Sequence, residues 1–93
     1  MALKRQTFRK DPDAVLDYGF DWSDWLETSE TISASEWEVA DGITKDSDSF
    51  GDTATEIWLS GGTAGASYTI QNQITTSEGR IDERSFLIVV GER

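Results

Sequence analysis

Cysteine and histidine are both absent from this 93-residue chain. Their absence removes the disulfide staple, thiolate and imidazole metal ligands, the cysteine nucleophile and the histidine general base. Proline occurs once, at Pro12. Basic residues are scarce, eight against 18 acidic ones, for a net charge of −10. Half of them, Lys4, Arg5, Arg9 and Lys10, fall in the first ten residues, which hold no acid. The rest of the chain is acidic enough to repel nucleic acid, whose phosphates bind basic surfaces. Long apolar runs are missing too. The longest is FLIVV at residues 86–90, far short of the roughly 20 residues that span a membrane. The N-terminus carries charge without an apolar stretch behind it, so no signal peptide is read there, and synthesis in the cytoplasm is expected. Neither a membrane nor a nucleic acid is expected as partner, and no cofactor is expected.

What the chain has is aromatic bulk: four Trp, four Phe and two Tyr. A single domain of this length buries roughly 60–65% of the surface its unfolded chain exposes. That is one core without a roomy internal pocket.

Short alternating stretches broken by turn signals run along the chain, the pattern of an all-β domain. In residues 14–22, Leu16, Tyr18, Phe20 and Trp22 share one face and Asp17, Gly19 and Asp21 the other, as in a half-buried strand. Ser23 and Asp24 suit the cap of a turn that carries Trp25 and Leu26. Residues 31–39 hold a phase error between Ile32/Ala34 and Trp37/Val39, which a bulge near Ser35-Glu36 would repair. Residues 44–53 read as a short polar edge strand and a turn at Phe50-Gly51-Asp52. Residues 54–59 place Ile57 and Leu59 on one face and Trp58 on the other. In residues 68–76, Tyr68, Ile70 and Ile74 point inward. Residues 84–90 close the series after a hairpin turn at Gly79. The expected fold is an immunoglobulin-like antiparallel β-sandwich of about seven strands over residues 13–93. Residues 1–12 are set apart as a basic N-terminal arm, either a solvated terminus or a clasp on an acidic neighbour.

The glycine-rich stretch SGGTAGAS at 60–67 invites a phosphate-loop reading. Such a loop needs a Lys and a following helix. Here no Lys occurs, and a strand follows. Gly61, Gly62 and Gly65 instead suit a sharp corner, with Tyr68 bonding back to backbone a few residues upstream, as in immunoglobulin-like sandwiches. Asp46, Asp48 and Gly51 match three positions of a calcium loop, but Phe50 and Ile57 stand where two further ligands belong. Asp17, Asp21 and Asp24 are paired-carboxylate candidates on a solvated face, with nothing to raise one pKa. No catalytic, metal or cofactor residues are assigned. Trp37 reads as the core Trp of a third-strand position. Trp58 is out of phase with its buried neighbours, and FLIVV is apolar on both faces. Both need cover, either from the chain itself or from a partner. The interface candidates are Trp58, Trp25, Lys4, Arg5, Arg9 and Lys10.

The strings DPDAVLDY (11–18), DWSDWL (21–26), IWLSGGTAG (57–65) and GRIDERSF (79–86) resemble small structural proteins of tailed bacteriophages, the fiber–tail adaptor or neck type. The resemblance spans residues 11–93. It implies an immunoglobulin-like virion component made in the host cytoplasm. It also implies contacts with other virion proteins of tail, neck, fiber or capsid, and several copies in a symmetric assembly. Two other readings stand beside it, a capsid decoration or cement protein and a carbohydrate- or host-surface-binding module.

Overall fold

The alternation becomes seven strands: β1 (Gln6–Lys10), β2 (Leu16–Asp21), β3 (Ile32–Val39), β4 (Ile43–Phe50), β5 (Ala54–Gly61), β6 (Ser67–Thr76) and β7 (Ile81–Val90). They come from a computed structural model that describes residues 6–91. One sheet runs β1-β7-β6-β3 and the other β2-β5-β4. The fold is an immunoglobulin-like β-sandwich. All strand pairs are antiparallel except β1 with β7, which is parallel.

The inward residues of each strand meet between the sheets. Ile57 and Leu59 of β5, Ile70 and Ile74 of β6, and Phe86 and Ile88 of β7 are all fully buried. Phe86 sits at the centre of an aromatic cluster. Its ring centroid lies 5.4 Å from Phe8, 5.5 Å from Tyr18 and from Phe20, and 6.2 Å from Trp37. Trp37 stacks on Phe20 at 6.0 Å, as a core residue of β3. Burial pushes the Tyr18 phenol above its ordinary pKa, with the nearby Asp17 charge adding to the effect.

Asn72 is a polar residue inside this core, with no exposed surface. Its Oδ1 accepts from Trp22 Nε1 at 3.1 Å and from Thr55 Oγ1 at 2.8 Å. Its Nδ2 donates to Ser35 Oγ at 3.0 Å and to the Glu36 carbonyl at 3.1 Å. The amide thus uses both donors and both acceptor sites. It ties the β2–β5 side of the sandwich to the β3–β6 side.

Three expectations change. The boundary at residue 13 moves, because residues 6–10 are a strand of the sandwich and not a free arm. Phe8 pairs with Ile88 in the ladder, and its ring fills the core beside Tyr18 at 5.2 Å. The edge of β7 that β6 leaves open and a slot for one aromatic ring draw the segment in. Second, the bulge in β3 lies between Ile32 and Ala34, not at Ser35-Glu36. Ser33 is the extra residue, and its Oγ donates to the Thr75 carbonyl at 3.1 Å. Ser35, Trp37 and Val39 then follow Ile32 inward, and Ala34 stays outside. The hydroxyl of Ser35 is needed inside because Asn72 donates to it. Third, β4 runs the full length from Ile43 to Phe50, although only Ile43 is buried; it is the edge of its sheet.

Candidate partner-binding surface

The outer face of the β2-β5-β4 sheet carries Trp58 on its middle strand. Period two forces it there: Ile57 and Leu59 are fully buried, so the residue between them must face out. Trp58 is 38% exposed. In register, Asp17 of β2 lies on one side and Ser47 of β4 on the other. Glu56 and Ser60 precede and follow it on the same face. Asp46 joins them, accepting from Ser60 Oγ at 2.9 Å. Gly19 lies opposite Glu56, and a Cβ there would press into the Thr55 carbonyl. Gly19 adds no side chain beside the indole. The three strands contain one basic residue, Lys45, whose ammonium is held by Asp48 at 3.1 Å. The face is therefore one aromatic ring in a field of carboxylates and small hydroxyl side chains.

Trp25 has a different setting. Its ring is half-buried, packs edge-on against Trp22 at 5.6 Å and is covered by the Arg80 guanidinium 4.0 Å from its centroid. Arg80 is in turn held by Glu30 through two bonds of 2.6 and 2.9 Å. Thr76 Oγ1 donates to the same carboxylate at 2.5 Å. The Arg80 and Thr76 bonds, and the Glu27 N–H, hold the Glu30 pKa down at about 2. Arg84 repeats the theme, with its guanidinium 4.1 Å from the Trp22 ring and 3.6 Å from the Asp24 carboxylate. Trp25, one of the interface candidates, is thus half-buried and packed under an arginine.

Lys10 is another of the interface candidates. It is buried, and its ammonium donates to the Gly61 carbonyl at 2.6 Å and to the Asp11 carbonyl at 3.0 Å. Burial lowers its pKa, while Asp11, Asp13 and Asp46 oppose that shift. It cross-links β1 to the end of β5. Arg9 is exposed on the outer face of the other sheet, opposite Val89. Lys4 and Arg5 lie outside the described residues. The FLIVV strand is covered inward by the core. Outward, Leu87 and Val89 are half-buried between Thr7 and Arg9 of β1 and Ser67 and Thr69 of β6.

At the glycine-rich corner, Gly61, Gly62 and Gly65 all have positive φ, +79°, +97° and +89°. The Thr63 N–H donates to Tyr68 Oη at 2.9 Å. Gly62 is required on two counts. Its φ is left-handed, and a Cβ would come within 2.7 Å of Val90 Cγ2 and 3.4 Å of the Tyr68 ring. The loop turns the chain from one sheet to the other and clasps Tyr68.

The remaining acidic groups are dispersed. Asp46 and Asp48 serve Ser60 and Lys45 respectively. Asp21 accepts from the Ser23 N–H at 3.0 Å, and that bond lowers its pKa. Among the described residues no cluster of three metal-ligating side chains forms. An open groove on the outer face of the β1-β7-β6-β3 sheet is lined by Glu36, Glu38, Gln71, Gln73 and Glu83 with Trp37. Sequence reasoning missed Asn72 and the Glu30–Arg80 pair. Asn72 had a signal, since it is in phase with the inward Ile70 and Ile74. Glu30 had none, because it lies in irregular chain before β3.

A family model described as podophage GP4 fiber-tail adaptor protein gp77 matches residues 10–89. No curated protein matches the chain. Among solved structures, the solution structure of the PKD domain from KIAA 1837 protein is similar at a TM-score of 0.57 and 14% identity. The alignment covers 100% of this chain and 85% of that one. At that identity the likeness concerns the fold alone.

Proposed function

The chain belongs to the gp77 family of podophage GP4 fiber-tail adaptor proteins, and from that premise we propose that it is a non-enzymatic joint between tail and fiber. The observation that carries this reading is the family match, which runs from the end of β1 almost to the end of β7. The surface supports it: an exposed Trp on a sheet face is the kind of anchor that dominates protein–protein contacts. An acidic body also keeps unassembled copies soluble and steers them toward basic partner surfaces. Several copies sit around the symmetric tail axis.

Particles assembled without this chain test the proposal. They are expected to keep a filled capsid and a tail while lacking fibers under the electron microscope. Particles that keep their full set of fibers would refute it. Hundreds of copies spread over the capsid shell would point to a decoration protein. Glycan binding lost on Trp58→Ala with the fold intact would point to a carbohydrate-binding module.

A further inference from the structure

The molecule shows twice what its tryptophans hold when a carboxylate stands beside them. Arg80 lies 4.0 Å over Trp25 and is bound by Glu30. Arg84 lies 4.1 Å over Trp22 and is bound by Asp24. Trp58 has the same equipment. Asp17 faces it across the ladder, Glu56 lies two residues before it, and Asp46 reaches the same face through Ser60. Among the described residues no cation stacks on it. Lys10, Lys45, Arg80 and Arg84 are all engaged elsewhere.

We infer that the Trp58 face receives an arginine-bearing basic segment of a partner protein in the particle, with a guanidinium stacked on the indole and held by Asp17 or Glu56. Charge selects the occupant. A face with several carboxylates and no free cation favours a basic segment and disfavours acidic or phosphate-bearing ligands. Arginine is preferred to lysine because its planar guanidinium stacks on an aromatic face while keeping donors in its plane for a carboxylate. Small residues, Gly19, Ser47, Ser49 and Ser60, share the face with the ring and leave room for an extended segment beside it. The ring supplies apolar contact and the carboxylates fix register.

The inference rests on the adaptor reading. Its test uses the isolated full chain, so a negative result leaves the fiber-loss experiment standing. The probe is a short, end-blocked peptide of alternating arginine and serine, titrated at low salt while backbone and indole resonances are followed by NMR. Shifts are expected at the Trp58 indole and at Asp17, Glu56 and Ser47. Trp58→Ala is expected to weaken binding roughly three- to tenfold, in the range of a partly desolvated cation–π contact. Asp17→Asn, which spares the ring and the fold, is expected to weaken it severalfold. The lysine counterpart of the peptide should bind more weakly than the arginine one. Unchanged affinity in both variants would overturn the inference. So would shifts spread equally over Glu36, Glu38 and Glu83 on the opposite sheet. Tighter peptide binding after Lys4→Ser with Arg5→Ser would show that the chain's own basic segment fills the site, and would overturn the partner assignment.

Discussion

Asn72 illustrates how much one side chain can do in a small core. Its amide satisfies a Trp indole, a Thr hydroxyl, a Ser hydroxyl and a backbone carbonyl, from residues on three strands or their ends. Removing one partner of a buried hydrogen bond costs the desolvation of the group left behind. Asn72→Ala should therefore destabilise the domain by about 3 kcal/mol, read as a lower urea midpoint with an unchanged m-value. Glu30 gives a pH signature. Its folded pKa of about 2 lies below that of an unfolded glutamate, roughly 4.3. Between those values the unfolded state binds more protons, so stability falls with falling pH. The contribution is complete above about pH 5 and is lost as pH drops toward 2. Thermal melts of Glu30→Gln should show a flatter pH dependence across that window. An unchanged slope would mean that the Arg80 pair is not formed in solution. Of these two residues, the strand phase pointed to Asn72, whereas Glu30 lies where no periodicity speaks.

At the scale of elements, alternation reads clearly where every second residue is large and apolar. Tyr18 and Phe20 in β2, Ile57 and Leu59 in β5, and Ile70 and Ile74 in β6 all point inward as their spacing dictates. It reads poorly where only one large apolar side chain faces inward. Phe8 is the sole large apolar residue of β1, surrounded by polar and charged ones, so the strand resembles a solvated tail. β1 is stabilised by the edge that β6 leaves open on β7, far away in sequence, which local pattern cannot reveal. The bulge in β3 was legible as a phase error but not in its position, because that depends on Asn72 claiming Ser35 from the neighbouring strand β6. A consequence is that β1 contributes to stability in the isolated domain. Phe8→Ala should cost about 2 kcal/mol for a half-buried ring, or roughly 10 °C in Tm for a domain of this size. Calorimetry showing no change would return residues 6–10 to the status of a detachable arm.

For the molecule as a whole, the two outer faces differ. One carries an acidic and amide-lined groove, with Arg9 and half-buried Leu87 and Val89 toward β1. The other is acidic around a single Trp. The sequence located that Trp from its phase alone, and the family strings gave the tail adaptor reading. What it could not show was that Trp25 is already covered by Arg80 and that Lys10 is buried. Both depend on contacts between residues dozens of positions apart. Those contacts leave Trp58 as the exposed tryptophan of the described surface. The most direct measurement is electron cryomicroscopy of the assembled particle at a resolution that traces strands. The account predicts this seven-stranded sandwich at the junction of tail and fiber, with the β2-β5-β4 face and Trp58 against a basic stretch of a neighbouring protein. The chain found on the capsid shell, or at the junction with Trp58 open to solvent, would contradict it.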